Sequence, residues 1–217
     1  MNTKELLAAA GPSMLIIEER ETTDIVIGVP HHAPAGTTKL PCPEHEVSDE
    51  NTGHLGHYLA ERLKCSSVIA CNYTFDANKC LRTDYAMQIA KWAPKILIEI
   101  HAHSGGRLAK DVEISCGSKS RNDHSVELAT KLKGLLAGMP KLNEISINGD
   151  FDLIPGGLRA SQTATINDSR WLAYHLELAP KLRRPRTKTG EPPAIGLTFC
   201  DKLADVLQDV AGTATTS

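Results

Sequence analysis

Histidines are concentrated in one stretch of the chain, at positions where several of them could bind a metal ion together. Seven of the nine histidines lie between His31 and His103. His31 and His32 follow an apolar run that ends in proline, and His101 and His103 end a run of Ile and Leu. Catalytic zinc takes three protein ligands from His, Asp and Glu and leaves one position open. Two such histidine segments, with an acidic segment between them, predict a metal site.

Acidic residues occur in two settings that could contribute to this site. Asp49 and Glu50 stand at the start of a predicted helix, where a carboxylate can either favour the helix dipole or bind the metal, and both assignments stay open. Glu177 lies between Leu176 and Leu178 in an apolar run, where a buried carboxylate is costly unless it is paired. Glu177 is therefore predicted to form an ion pair with Arg or Lys, or to be a general base beside a metal-activated water.

Residue spacing places a further carboxylate on the same face as the candidate ligands. In an extended strand alternate side chains point the same way, so Glu99, His101 and His103 should share one face. Glu99 is predicted to support a ligating histidine, or to form an ion pair. Asn78 and Lys79 follow another predicted strand. All these residues fall at or just after the carboxyl end of a strand, the edge at which open α/β sheets bind ligands.

The elements that must position these residues alternate along the chain. Short apolar runs rich in Ile and Val alternate with stretches of helical periodicity, which predicts an α/β structure with a mixed or mostly parallel central sheet. Strands are predicted at 14–20, 24–30, 66–75, 95–103, 112–117, 144–149 and 173–180. Helices are predicted at 51–64, 84–93, 124–139 and 193–211. The proline at the end of the second strand should prevent it from continuing in regular pairing.

Length and composition limit the kinds of protein that this chain can be. We expect 217 residues to form a single domain, 1–217, with an exposed loop at about 185–194 and a flexible tail at about 212–217. A net charge of −2 gives no electrostatic case for a nucleic-acid or anionic-membrane partner. No apolar run reaches the length of a membrane span. A cytoplasmic protein with its six cysteines reduced is expected.

Five short motifs, in order, resemble those of the N-formylglutamate amidohydrolase family and, more distantly, of the zinc carboxypeptidases. VPHHA resembles the strand-ending Pro-His motif, SDENTGHL the acidic motif before a helix, and IHAHSGG the later histidine motif. The resemblance implies a three-layer, phosphorylase/hydrolase-like sandwich and one Zn²⁺ per chain, held by His31, Asp49 and His101. Glu50 stays open as an alternative to Asp49, with His32 and His103 as spare ligands or supporting residues.

The other two of the five motifs imply how a substrate would be bound and cleaved. Asp76-Ala77-Asn78-Lys79 resembles the family motif Asp-x-Asn-Arg, with Lys in place of Arg, so the planar fork that grips a carboxylate is lost. YHLELAP resembles the strand that carries the catalytic glutamate, which points to Glu177. Lys79, or a nearby arginine such as Arg82, would also help the metal to stabilise the developing oxyanion. The candidates for binding a substrate carboxylate, with Asn78 beside them, are Lys79, Arg82, Arg107 and Arg159.

The expected reaction is cleavage of the amide bond of an N-acyl, N-formyl-like amino acid or small peptide-like substrate. A carboxypeptidase-like peptidase or a deacylase would use the same chemistry, and a non-catalytic binding protein that keeps the fold is the alternative from another class. Serine hydrolase chemistry is disfavoured because the chain has no G-x-S-x-G motif.

Overall fold

The computed structural model describes residues 2–9, 11, 13–106, 109–185 and 190–214. Eight strands alternate with helices along most of the chain. The elements, in chain order, are α1 (Thr3–Ala8), β1 (Met14–Glu18), β2 (Thr22–Ala33), β3 (Asp49–Glu50), α2 (Thr52–Leu63), β4 (Cys65–Cys71), α3 (Asp84–Trp92), β5 (Ile96–Ala102), β6 (Val112–Ser115), α4 (Asn122–Leu136), β7 (Ile147–Asn148), α5 (Ala164–Asn167), β8 (Leu172–Leu178), α6 (Pro180–Arg183) and α7 (Ala194–Ala214).

The strands form one mixed sheet in the order β1-β4-β2-β5-β8-β6-β7, with the short β3 paired to β2. The central strands β4, β2, β5 and β8 are parallel to one another. Antiparallel pairing occurs near the edges, between β1 and β4 and between β6 and β8. The predicted mixed, mostly parallel sheet is confirmed. The carboxyl ends of the four central strands therefore meet along one edge.

Helices cover both faces of the sheet because its central strands are buried on both sides. One hydrophobic cluster joins Ile27, Ile98 and Leu176 of the strands to residues of α2, α4 and α7. A second cluster joins strand residues whose side chains lie on the opposite face of the sheet, such as Val26 and Leu97, to residues of α3 and α5. The resulting three layers confirm the predicted α/β sandwich.

The main difference from the predicted elements lies in β2. The strand does not end at Pro30 but continues to Ala33, and its register with β4 shifts between Val29 and His32. This irregularity accommodates a proline, which cannot donate to the ladder. Consequently His31 and His32 belong to the strand rather than to a loop after it.

The predicted loop and tail near the C-terminus are only partly described. Residues 186–189 of the expected loop and 215–217 of the expected tail lie outside the described residues. The last helix, α7, runs to Ala214, which is beyond the predicted start of the tail at 212. Within the described part of the chain, every helix is too short or too polar to cross a membrane.

Candidate metal centre and its pocket

Three side chains from different strands converge at the carboxyl edge of the sheet. His31 lies on β2, Asp49 on β3 and His101 on β5, and all three are buried. The Asp49 Oδ2 atom is 3.4 Å from His31 Nδ1 and 3.1 Å from His101 Nδ1. The parallel pairing of β3 with β2 brings Asp49 to the histidines. Three residues that are far apart in the sequence thus present two nitrogens and one oxygen to a common point.

These three donor atoms fit a small divalent cation. The donor atoms of the group lie within 4.8 Å of one another. His31 Nδ1 and Asp49 Oδ2 are buried without a hydrogen-bond partner. Ligands of a tetrahedral zinc ion with bonds of about 2.0–2.1 Å are separated by about 3.3 Å. The observed spacing and the unpartnered atoms match what this ion requires.

A second layer of carboxylates orients the two histidines. Asp76 Oδ1 is 2.9 Å from His31 Nε2, and Glu99 Oε2 is 3.3 Å from His101 Nε2. A carboxylate on the far ring nitrogen fixes the tautomer and makes the near nitrogen more basic. Both rings are therefore held with Nδ1 toward the candidate metal position.

Glu99 is the centre of a fully buried hydrogen-bond network. Tyr85 Oη and Thr165 Oγ1 donate to its Oε1 at 3.0 and 2.6 Å, and Asn78 Nδ2 donates to its Oε2 at 2.9 Å. Burial alone would raise the pKa of this carboxyl group, but the interactions with His101, Thr165 and Asn78 outweigh burial and lower it. Glu99 is thus kept ionised beside the ring that it orients.

The network depends on a glycine in the neighbouring strand. Gly28 pairs with Glu99, and a Cβ atom at Gly28 would lie 2.2 Å from Tyr85 Oη. We expect Gly28→Ala to displace Tyr85 and to lower the free energy of unfolding in urea by about 1–3 kcal/mol. The matched control is Gly134→Ala in α4, where a Cβ atom meets nothing within 4 Å. That change should be neutral or stabilise the protein by up to about 1 kcal/mol, and equal losses in both variants would contradict the prediction.

Protons compete with a cation for this centre. Burial lowers the pKa of His101, but its interactions with Asp49 and Glu99 outweigh burial and raise it to about 10. Burial likewise lowers the pKa of His31, but its interactions with Asp49 and Asp76 outweigh burial and raise it. A metal binds neutral histidine, so metal binding must release these protons.

Glu177 lies beside the three donors on the adjacent strand. It pairs with His101 in the register of β8 with β5, and its Oε2 atom is buried without a hydrogen-bond partner. Burial, reinforced by the negative charge of Asp49, raises the pKa of Glu177 to about 8. A carboxyl group that titrates near neutral pH is suited to take and return a proton.

His175 is a site residue that the sequence analysis missed. Its ring lies 4.2 Å from that of His101, and its Nε2 atom is 3.5 Å from Glu177 Oε1. Burial lowers the pKa of His175 well below its usual value, so the ring is neutral. The strand periodicity carries the signal that could have identified it, since His175 and Glu177 are two residues apart and must share a face.

A pocket of about 340 Å³ opens onto the centre. One wall is formed by residues 156–157 and 160–163, and this stretch is attached to Asn78 because Ala164 N and Thr165 N, directly after it, both donate to the Asn78 carbonyl oxygen. The other lining residues are His31, His45, Asn78, Lys79, His101, His175 and Glu177. The pocket is therefore polar, and it exposes both the candidate metal position and Glu177.

His45, which was also not predicted from the sequence, packs against His31 at the centre. Its ring stacks on that of His31 with a centroid distance of 3.8 Å and an angle of 16°. A histidine nitrogen binds a metal along a direction in its own ring plane. Two rings that are stacked in nearly parallel planes cannot share one ion. Of the two other groups of possible metal ligands, that of His31, His45 and Asp76 is thus not a second cation site in this geometry, and the other consists of His101, His175 and Glu177.

Three of the candidate ligands lie away from the centre. The Glu50 carboxylate forms an ion pair with Arg184 Nε at 2.8 Å and accepts a hydrogen bond from Gly36 N at 2.6 Å. Both ring nitrogens of His32 are engaged, by Gly53 N and by the Leu7 carbonyl oxygen, each at 3.0 Å. His103 Nδ1 accepts a hydrogen bond from Gly105 N, and His103 belongs to none of the described metal-binding groups. Of the two acidic alternatives, Asp49 is the one that reaches the histidines.

The arginines proposed for substrate binding do not line the pocket either. Arg159 donates to the carbonyl oxygens of Ile154 and Asp152 and lies over the Phe151 ring, so it stabilises its own loop. Arg82 is exposed and lies outside the pocket lining. Arg107 lies outside the described residues. Lys79 is the one candidate cation among the described lining residues.

Comparison with known proteins identifies structural relatives only. No protein-family model and no curated protein matches the sequence. The fold is similar to that of a bacteriophage poly-γ-glutamate hydrolase, with a TM-score of 0.57 and 11% identity over 94% of this chain and 92% of that one. It is also similar to gene product Atu2144 from Agrobacterium tumefaciens, with a TM-score of 0.59 and 12% identity over 90% and 95% of the two chains. At this identity the likeness establishes a shared fold.

Proposed function

We propose that this protein is a metal-dependent amidohydrolase that cleaves the amide bond of an N-acyl amino acid or a small peptide-like substrate. The observation that carries the proposal is the convergence of His31 Nδ1, His101 Nδ1 and Asp49 Oδ2 beside an unpartnered oxygen of Glu177. All of them line or adjoin an open polar pocket. The shared fold with a poly-γ-glutamate hydrolase, an enzyme that cleaves amide bonds, supports this reaction class.

The donor set supports zinc as the cation. Two imidazole nitrogens and one carboxylate form a set that zinc takes in catalytic sites, with one position left open. When bound, such an ion supplies Lewis-acid chemistry, by lowering the pKa of a water molecule and polarising a carbonyl group. His31, Asp49 and His101 would hold one ion per chain, and Asp76 and Glu99 would keep the two rings in place.

Glu177 supplies the proton transfers in this proposal. As a base its carboxylate removes a proton from the attacking water, and as an acid it returns that proton to the leaving nitrogen. The burial that raises its pKa to about 8 suits the second task, since the protonated form is readily reached near neutral pH. His175, neutral and next to Glu177, limits the directions in which the carboxylate can turn.

Lys79 is the group that would hold a negatively charged substrate. It follows Asn78 in the pocket lining, and its side chain is exposed. The Asn78 side chain donates to Glu99 and is thus already engaged, so we assign it to holding the pocket rather than to gripping the substrate. A single ammonium group attracts a carboxylate without the two-pronged geometry that arginine imposes. We therefore propose that the substrates carry a free carboxylate, as N-formylglutamate does. We also propose that the protein selects among such acids less strictly than it would with an arginine at this position.

The decisive experiment combines metal analysis with a substrate panel. Purified protein should contain one equivalent of zinc, and it should release amino acid from at least one of N-formyl, N-acetyl and γ-glutamyl amino acids. A chelator should abolish the hydrolysis and added Zn²⁺ should restore it. Dipeptides in the same panel distinguish a carboxypeptidase-like enzyme. Protein that binds no cation, or that is loaded with zinc and hydrolyses no member of the panel, would overturn the proposal.

A further inference from the structure

One buried arginine connects the three segments that carry the candidate centre and its base. Arg183, in α6, is 2% exposed. Its Nη1 donates to the Glu50 carbonyl oxygen at 2.8 Å, and its Nη2 to the His103 carbonyl oxygen at 3.2 Å. Its Nε donates to the Leu178 carbonyl oxygen at 3.3 Å. A single guanidinium group thus bonds to the main chain of three separate strand ends.

Each of these carbonyl groups is close in sequence to a residue of the site. The first belongs to the residue directly after Asp49, and the third to the residue directly after Glu177. The second belongs to the residue two positions after His101. Because the main chain over one or two residues is short and stiff, fixing these carbonyls limits where Asp49, His101 and Glu177 can lie relative to one another.

Arg183 is held by hydrogen bonds of its backbone as well as of its side chain. Its carbonyl oxygen accepts a hydrogen bond from Asn51 Nδ2 at 2.7 Å, so the link between α6 and the segment of Asp49 runs in both directions. The side chain starts only five residues after Leu178, because α6 follows β8 almost directly. The guanidinium group is planar and has five N–H donors in a fixed fork, whereas a lysine presents three donors from a single nitrogen and cannot reproduce that fork.

We propose that Arg183 is a positioning residue that sets the spacing of Asp49 and His101 for one cation and places Glu177 beside it. The inference rests on the proposed function, because it assigns Arg183 to the geometry of that centre. It predicts that the effect of losing Arg183 is concentrated on metal binding and turnover. Loss of a purely structural arginine would instead lower stability and leave the bound metal unchanged.

The test compares Arg183→Lys and Arg183→Met with the matched control Arg184→Met. Arg184 is the next residue, carries the same charge and also pairs with the Glu50 carboxylate, at 2.8 Å against 3.7 Å for Arg183, but its side chain is 46% exposed. Zinc affinity is measured by competition with a chelator, the ligand geometry by the absorption spectrum of the Co²⁺-loaded protein, and kcat and KM at saturating metal. Both Arg183 variants should lose about 10–100-fold in zinc affinity, the range for groups that orient metal ligands. Their Co²⁺ spectra should change and kcat should fall with KM unchanged, whereas Arg184→Met should match the wild type.

Several results would overturn the inference. Arg183→Lys with wild-type zinc affinity, Co²⁺ spectrum and kcat would do so, as would an equal loss in Arg184→Met, which would indicate an effect of charge alone. If both Arg183 variants fail to fold by circular dichroism while Arg184→Met folds, the residue stabilises the whole domain and the inference is wrong. Wild-type protein that binds no cation would overturn the proposed function and this inference together. Wild-type protein that binds zinc without hydrolysis would overturn the proposed function alone, since the affinity comparison would still decide the role of Arg183.

Discussion

Replacing Glu177 with glutamine should lower kcat by about 10²–10⁴-fold, the range for a general base, and should leave zinc affinity within a few-fold of the wild type. Glutamine has the shape of glutamate but cannot accept the proton. Glu177 forms a neighbouring possible metal group with His101 and His175, but it is not one of the donors His31, Asp49 and His101, so the centre should still bind its ion. The measurements are kcat on the best substrate of the panel and zinc affinity by chelator competition, both on the same preparation.

Glu113→Gln is the matched control for this experiment. Glu113 lies opposite Glu177 in the register of β6 with β8 and is also buried, but its carboxylate accepts hydrogen bonds from Asn148 Nδ2 and Lys110 N. It does not line the pocket, so its replacement should leave kcat nearly unchanged. A Glu177→Gln variant with wild-type kcat would show that Glu177 is not the base. If the wild type and Glu177→Gln both bind metal and neither hydrolyses a substrate, the protein is a non-catalytic binding protein that keeps the fold.

The second large effect is expected for Asp49. Asp49→Ala should weaken zinc binding by about 10³-fold, because zinc bound by protein side chains gains about 10–16 kcal/mol in total and a few ligands share that energy. Hydrolysis should disappear at zinc concentrations that saturate the wild type. The stabilisation by metal should disappear as well. Zinc at 100 times its Kd should stabilise the wild type by about 2.7 kcal/mol, which is readily measured as a rise in Tm.

Glu50→Ala is the control that separates the two adjacent acidic residues. The Glu50 carboxylate bonds to Arg184 and to the Gly36 amide, away from the histidines. Its removal should reduce stability somewhat but should leave zinc affinity within a few-fold of the wild type. The assignment of Asp49 would be contradicted if Glu50→Ala lost zinc and Asp49→Ala kept it.

The strands and helices of this protein could largely be predicted from the sequence, because each long element has a clear period. The run 96–100 of Ile, Leu and Glu, for example, forms the first five of the seven residues of β5. Of the two strands that have only two residues, β7 falls within the predicted strand 144–149, whereas β3 was not predicted, since two residues show no period. The strand β3 exists because Asp49 and Glu50 pair with the end of β2, which is a tertiary interaction.

The candidate site was only partly accessible to the same reasoning. The rule that ligands gather at strand ends pointed to the neighbourhoods of His31, Asp49 and His101. Whether His31 or His32, and whether Asp49 or Glu50, faces the centre depends on the alternation of side chains along the strand, and the register shift after Val29 changes that alternation in β2. His45 lies in an irregular segment without a period, so nothing in the local sequence connects it to His31. Arg183 reaches the centre through main-chain carbonyl groups, which leave no trace in side-chain patterns.

The polar lining of the pocket determines what kind of inhibitor could block it. With about 340 Å³ and walls of imidazole, carboxylate, ammonium and a glycine-containing segment, the cavity offers few apolar side chains to a drug-like aromatic compound. A potent blocker would instead be small and hydrophilic, with a chelating head group such as a hydroxamate and an acidic tail directed to Lys79. Apolar substituents added to such a compound would remain in solvent, so its selectivity would have to come from the chelating group and the charge.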